Sequence, residues 1–273
     1  MSEITSPVQL TTGPLRSTIS IELHTHLATR TWSGRQPVPE EKIHGIIGMP
    51  RFLNIMNIIR LDSQTDNPYA DLWMLRMEER LLAAREEMNA LIDSMKTVFS
   101  QLPEMMTVEG CISTQPARFP VFSASQLGFI AIYLLTDFDK LMRNALLAQH
   151  MALLNRREMN DLREKGGNMI RSILVLAQKY RRIAVTRQDI REGNARAIAA
   201  EEQAGPVPDD IMDGSRRSAY ALPLRQPASS SGEMTPDDTD TAPEQPPEQD
   251  GHESDGETDD EHHDGDDSDD PDI

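Results

Sequence analysis

The amino-acid sequence predicts a mainly α-helical protein with one or two short strands, followed by a disordered acidic C-terminal tail. Three observations support this fold class. Apolar residues recur at helical spacing over residues 68–100 and 124–154, and residues 18–27 alternate between apolar and polar side chains. Residues 231–273 contain 19 Asp and Glu and no Lys or Arg, which leaves 26 acidic and 27 basic residues in the rest of the chain. The net charge of −18 therefore belongs to the tail.

Composition divides the chain into four parts. Residues 1–16 are expected to form a flexible N-terminal arm, 17–205 a helical body, 206–230 a linker and 231–273 the tail. The tail has almost no apolar residues to offset the entropy lost on folding, so we expect it to be disordered. The body is long enough to bury one hydrophobic core.

The body begins with a strand at 18–27 that we expect to be half exposed. A loop at 37–50 follows it and leads to a first helix at 51–61. One face of the strand is apolar and the other polar, since Ile19, Ile21 and Leu23 alternate with Ser20, Glu22, His24 and His26.

A long helix is predicted at 68–100. Asn67-Pro68 marks its start, because Asn is a preferred N-cap and Pro fits the first helical position. Residues 103–120 should be irregular or extended. Two stretches, 106–108 within this segment and 118–122 at its end, are candidates for short strands.

The second half of the body is predicted to contain three helices. The helix at 124–154 is apolar nearly all round in its first half, which indicates the central element of the core. Gly166-Gly167 predicts a break before a helix at 168–181. A Thr-x-x-Asp capping box at 186–189 starts a last helix at 187–203.

Composition also excludes several classes of protein. Cys111 is the only cysteine, so no internal disulfide can form. The N-terminus lacks the basic and apolar regions of a signal peptide. The longest apolar stretch, 127–135, is far shorter than the ~20 residues of a transmembrane helix. We therefore expect a cytoplasmic protein with no membrane partner.

One stretch resembles a metal site. His24 and His26 share a face of the predicted strand, but a hydrolase-type site needs ligands on later strands, and the other body histidines are His44 and His150 alone. Cys111 has no activating Lys, Arg or His close in sequence. No nucleophile elbow or phosphate-binding loop occurs. We therefore predict no metal, no cofactor and no enzymatic activity.

Basic residues concentrate late in the body. Residues 156–196 contain 11 Arg and Lys against five Asp and Glu, an excess that can supply phosphate contacts to DNA. The alternative is a solvated helical face whose charges pair with one another. Seven of these cations are candidate DNA contacts: Arg156, Arg157, Arg171, Lys179, Arg181, Arg182 and Arg187.

The strand at 18–27 offers a second route to DNA. Ribbon-helix-helix repressors pair one such strand from each protomer and place its polar face in the major groove. Ser20 and His24 could hydrogen-bond to bases there, whereas Glu22 can accept from cytosine but repels phosphates. One half of an ordinary structural hairpin explains the strand equally well.

Six motifs carry a resemblance to a known family. They are Thr18-Ile19-Ser20-Ile21-Glu22-Leu23-His24-Thr25-His26, Ile46-Ile47-Gly48-Met49-Pro50-Arg51-Phe52-Leu53, Asp66-Asn67-Pro68-Tyr69-Ala70-Asp71, Gln126-Leu127-Gly128-Phe129, Tyr133-Leu134-Leu135-Thr136-Asp137-Phe138-Asp139 and Val185-Thr186-Arg187-Gln188-Asp189. From about residue 13 to 222 the chain resembles conserved proteins of bacterial integrating conjugative elements. These proteins are grouped with the AcaB-like transcriptional regulators of conjugative plasmids.

The resemblance implies a dimeric, DNA-binding regulator of conjugative-transfer genes with a ribbon-helix-helix-like core. DNA, a second copy of the chain and other mobile-element proteins would be its partners. Either strand could form the ribbon: 18–27 alternates better, whereas 118–122 directly precedes a long helix although Pro120 removes a ladder donor. The rival interpretation is an accessory protein of the transfer apparatus that binds other proteins. Cations that converge on one face would favour the regulator, and cations scattered into ion pairs would favour the accessory protein.

Overall fold

Helices dominate the computed structural model, which describes residues 19–37, 40, 44–108 and 110–224. The arm predicted at 1–16, the end of the predicted linker and the acidic tail at 231–273 lie outside these residues. Within them the elements follow in the order β1 (Ile19–Leu23), α1 (His26–Ser33), α2 (Met49–Gln64), α3 (Pro68–Phe99), β2 (Ala117–Val121), α4 (Gln126–His150), α5 (Arg156–Gln178), α6 (Arg187–Glu192), α7 (Ala195–Ala204) and α8 (Asp209–Met212).

The core lies between α2, α3, α4 and α5. Thirteen of the 25 residues of α4 are buried, so this apolar helix is the central element, as predicted. The long helix α3 begins as its sequence predicts, since the Asn67 side chain accepts hydrogen bonds from the backbone N–H groups of Tyr69 and Ala70. Its buried side chains recur every three or four residues and face α4 and α5: Met74, Met77, Leu81, Ala84, Met88, Ile92 and Met95.

The two strands form one antiparallel ribbon. Ser20 lies opposite Pro120 and Glu22 opposite Arg118, so both stretches that the sequence offered as a ribbon strand pair with each other within one chain. The alternating pattern continues past the strand without forming more of it, because Thr25 caps α1 by accepting from the N–H of Ala28. The predicted strand at 106–108 does not form.

Helix α5 runs through Gly166-Gly167, where the sequence predicted a break. A Cβ at Gly166 would lie 2.8 Å from Cδ2 of Phe138, so the glycine lets α5 approach α4 closely. The predicted helix at 187–203 is divided instead, because Gly193 adopts a left-handed conformation with φ 62° between α6 and α7.

The two glycines should respond differently to substitution. Gly166→Ala should lower the free energy of unfolding by about 1–3 kcal/mol, since the buried Phe138 ring has no room to move. Gly167→Ala meets only the end of the flexible Arg171 side chain and should gain up to about 1 kcal/mol of helix propensity. Urea unfolding of both variants checks the pair, and equal effects would contradict the close helix packing.

Residues 205–222, named here the C-terminal strap, pack on α3. The Tyr69 hydroxyl donates to the carbonyl oxygen of Gly205 at 2.8 Å, and the backbone N–H of Ala219 donates to Glu78 at 3.0 Å. Ile211 is buried. The folded body therefore continues past residue 205, where the sequence predicted a linker from 206 to 230.

Among the described residues, no helix is both long enough and apolar enough to cross a membrane.

Candidate nucleic-acid interface

Helix α5 carries most of the candidate cations, and its start is firmly capped. The Asn155 side chain accepts from the N–H of Glu158 at 3.0 Å, and the Glu158 carboxylate accepts from the N–H of Asn155 at 2.9 Å. Arg156 and Arg157 follow directly and are exposed. Their charges add to the positive end of the helix dipole, which the Glu158 carboxylate partly offsets.

The second half of α5 and the segment after it contain no acidic residue from 165 to 188. Arg171 lies against Gly167 and donates to the Asn168 side chain at 2.6 Å. Burial lowers the pKa of Arg171 and the nearby positive charge of Arg35 lowers it further, while the Glu164 carboxylate acts in the opposite direction. Two cations held close together in this way favour a bound anion.

Three further cations belong to the same region as Arg35 and Arg171. Arg80 reaches across from α3 and donates to the Ser172 hydroxyl at 3.1 Å. Lys179 and Arg181 are exposed at the C-terminal end of α5, where Arg181 donates to the carbonyl oxygens of Gln178 and Tyr180. We name these three residues, with Arg35 and Arg171, the α5 basic surface.

The cations of α5 do not lie on a single face. At about 100° per residue, Arg156 and Arg163 share one side of the helix, whereas Lys165 lies roughly opposite. Within the described part of the chain, eight cations of 156–196 are exposed and have no ion pair within 4.0 Å: Arg156, Arg157, Arg163, Lys165, Lys179, Arg181, Arg191 and Arg196.

Arg182, one of the sequence candidates, is engaged by a carboxylate. Its Nε and Nη2 donate to Asp62 at 2.7–3.1 Å in a two-pronged contact, and Asp62 also accepts from the Tyr180 hydroxyl. Burial raises the pKa of Tyr180, and the Asp62 carboxylate raises it further. Arg182 therefore joins the end of α5 to α2, although its side chain remains 68% exposed.

Arg187, another candidate, is buried. Its guanidinium donates to Asp71 and Asp66 at 2.6 Å each and to the carbonyl oxygen of Ile211 at 2.8 Å. Burial acts to lower the pKa of Arg187, but the hydrogen bonds to the two carboxylates outweigh it and raise that pKa. Arg187, predicted as a DNA contact, thus has its partners inside the protein, and the sequence does not indicate them because they are distant along the chain.

Asp71 is the centre of this buried network. It is fully buried and also accepts from Nε of Arg217 in the C-terminal strap at 3.0 Å and from the hydroxyl of Ser63. Sequence reasoning missed both Asp71 and Arg217. The available signal was the acidic residue in the first turn of α3, but the helix dipole alone accounts for an acidic residue at such a position.

The two strand candidates have different surroundings. Ser20 is exposed on the outer face of the ribbon, beside the 2.8 Å ion pair of Glu22 and Arg118. His24 is half-buried, and its Nδ1 accepts from the backbone N–H of Ser113 at 3.2 Å. The structure thus leaves Ser20 open to a ligand and turns His24 towards the protein.

The predicted sites therefore fall into separate places. Arg171, Lys179 and Arg181 lie at one end of α5, Arg156 and Arg157 lie at the other, and Ser20 lies on the ribbon. In the part of the chain that the structure describes, no group of three or more His, Cys, Asp or Glu side chains is arranged to hold a metal ion.

Comparison with known proteins places the chain in a family. The family model described as transcriptional regulator AcaB matches residues 11–225, which is most of the chain. No curated protein matches. A crystal structure of AcaB from uropathogenic E. coli is similar over 73% of this chain and 98% of that chain, with 11% identity and a TM-score of 0.47. Transcriptional regulators are not normally enzymes. On the match of the family model, the chain belongs to the family of the transcriptional regulator AcaB.

Proposed function

We propose that this protein regulates transcription by binding DNA through the α5 basic surface, and that its targets are transfer genes of a conjugative element. The observation that carries the proposal is the acid-free stretch at 165–188, in which Arg171 lies near Arg35 and Ser172 accepts a hydrogen bond from Arg80 of α3. Cations without a carboxylate partner can neutralise DNA phosphates and release counterions, which is the main source of affinity in such complexes.

Base recognition would come from another element, since phosphate contacts carry little sequence information. The ribbon of β1 and β2 is the best candidate, because a two-stranded ribbon fits the major groove. Its outer face presents Ser20 together with the Glu22–Arg118 ion pair. Both strands of this ribbon come from one chain, whereas a ribbon-helix-helix repressor pairs one strand from each protomer. We propose a homodimer because the free edges of a two-stranded ribbon favour pairing with a second copy.

Removing cations of the α5 basic surface should weaken DNA binding without unfolding the protein. For the double variant Lys179→Ala, Arg181→Ala, we expect the plot of log affinity against log salt concentration on random-sequence duplex to become less steep. The magnitude of its negative slope should decrease by about two. Both side chains are exposed, so thermal unfolding should be unchanged. The measurement is a salt-titrated binding isotherm on the full-length protein.

The neighbouring Arg182→Ala is the matched variant with the opposite expectation. It removes the partner of the nearly buried Asp62, so it should lower the free energy of unfolding by about 1 kcal/mol, an effect reduced by solvent screening. Its salt slope should stay close to that of the unchanged protein. An unchanged slope in the double variant would exclude this surface as the DNA site and would favour the rival function, an accessory protein of the transfer machinery.

A further inference from the structure

A groove of about 410 Å³ lies on another part of the body, between the turn after β1, the segment at 111–113, α4 and α5. It contains the His-Thr-His motif and the single cysteine, Cys111. Its volume is within the range of small-molecule sites, about 300–1,000 Å³.

The floor of the groove is apolar. Leu27, Leu146 and Met159 line it with partly exposed side chains, and Ile112 lines it with two thirds of its surface exposed. Such side chains favour the apolar part of a ligand, because contact with it removes their surface from water.

The charged groups that line the groove are both cations. Arg143 and Arg163 contribute guanidinium groups, and none of the described residues that line the groove is Asp or Glu. Arg143 is held in place, since its Nη1 donates to the Cys111 carbonyl oxygen at 3.3 Å and its Nε lies 3.2 Å from Asp139. Because Nδ1 of His24 accepts a hydrogen bond, a neutral His24 carries its proton on Nε2 and presents a further donor.

Arg163 is the cation best placed to hold an incoming ligand. It is exposed and has no ion pair among the described residues, so its charge is available at the edge of the apolar floor. A group that combines negative charge with an apolar body would satisfy both parts of the groove.

We propose that this groove binds a small amphipathic anion, with its apolar body against Leu27, Leu146 and Met159 and its acidic group on Arg163. The groove is the size of a small-molecule site. A stable protein interface instead spreads over a larger surface, about 800 Å² on each partner, so we favour a small molecule over a protein segment. The site is separate from the α5 basic surface and gives the protein an input beyond DNA. It does not depend on the proposed DNA binding.

The probe is decanoate, with decanol as its uncharged counterpart, added to the full-length protein in competition with the fluorescent anion 8-anilinonaphthalene-1-sulfonate. Decanoate should displace the fluorophore more effectively than decanol. Arg163→Gln should weaken decanoate binding about tenfold, the effect of one lost charged hydrogen bond. Arg191→Gln removes a charge that is also exposed, from α6 and outside the groove, and should leave binding unchanged.

Cys111 supplies a second measurement, because it is the only cysteine and lines the groove. Decanoate should slow its alkylation by iodoacetamide in the unchanged protein and in Arg191→Gln, and much less in Arg163→Gln. Leu146→Glu, which adds a carboxylate at an exposed position of the floor, should abolish both effects. Equal binding by Arg163→Gln and Arg191→Gln, or no protection of Cys111, would overturn the proposal.

Discussion

Replacing Arg187 with alanine should lower the free energy of unfolding by about 3–5 kcal/mol, the usual cost of removing one partner from a buried ion pair. Arg187 is 3% exposed, and its two carboxylate partners include the fully buried Asp71. The variant leaves Asp71 with Arg217 and Ser63 as its remaining partners. Urea unfolding followed by circular dichroism gives the measurement.

Arg191→Ala is the control for this variant. It removes the same kind of side chain from the same helix, but Arg191 is exposed and has no ion pair among the described residues, so its effect should stay within about 0.5 kcal/mol. A loss below about 1 kcal/mol for Arg187→Ala would mean that Arg217 alone satisfies Asp71. The network would then be less important to the body than its burial indicates.

Deleting residues 231–273 should tighten binding to random-sequence DNA by about tenfold at ~50 mM salt. The deleted segment carries 19 carboxylates and no Lys or Arg. Joined to the same chain, it competes with DNA for cations at an effective concentration on the order of millimolar. The gain should fade as salt shortens the Debye length from ~10 Å at 0.1 M to ~3 Å at 1 M.

A tail of the same length with Asn and Gln in place of its acids separates charge from chain length. The protein with this neutral tail should bind DNA as tightly as the truncated protein. If the full-length, neutral-tail and truncated proteins bind equally at low salt, the acidic residues do not affect the DNA site and their role is one of solubility alone.

Local sequence signals predicted much of the fold. Asn67-Pro68 marked the start of α3, and the apolar first half of α4 indicated the central helix. The errors arose where a distant partner decides the local structure. In the sequence, Gly166-Gly167 predicts a break because glycine weakens a helix. In the structure, Phe138 packs against Gly166, and the missing side chain lets the two helices approach closely.

The candidate site shows the same division. Exposed cations such as Lys179 and Arg181 could be found from charge alone, because their surroundings are mainly solvent. In the sequence, Arg182 and Arg187 cannot be told apart from these exposed cations. Their partners Asp62 and Asp71 lie 120 and 116 residues away along the chain. Charge counting treats all four residues as one patch, whereas the structure gives two of them a role in stability.

The position of these partners along the chain has a consequence for synthesis. Asp71 is made early, but Arg187 follows it by 116 residues and Arg217 by 146. While the chain is still on the ribosome, α2 and α3 are complete long before the carboxylate that they bury can be neutralised. The body therefore reaches its full stability only when the C-terminal strap has emerged. A chain that terminates before residue 217 would be helical but weakly held, which makes it a ready substrate for cellular proteases.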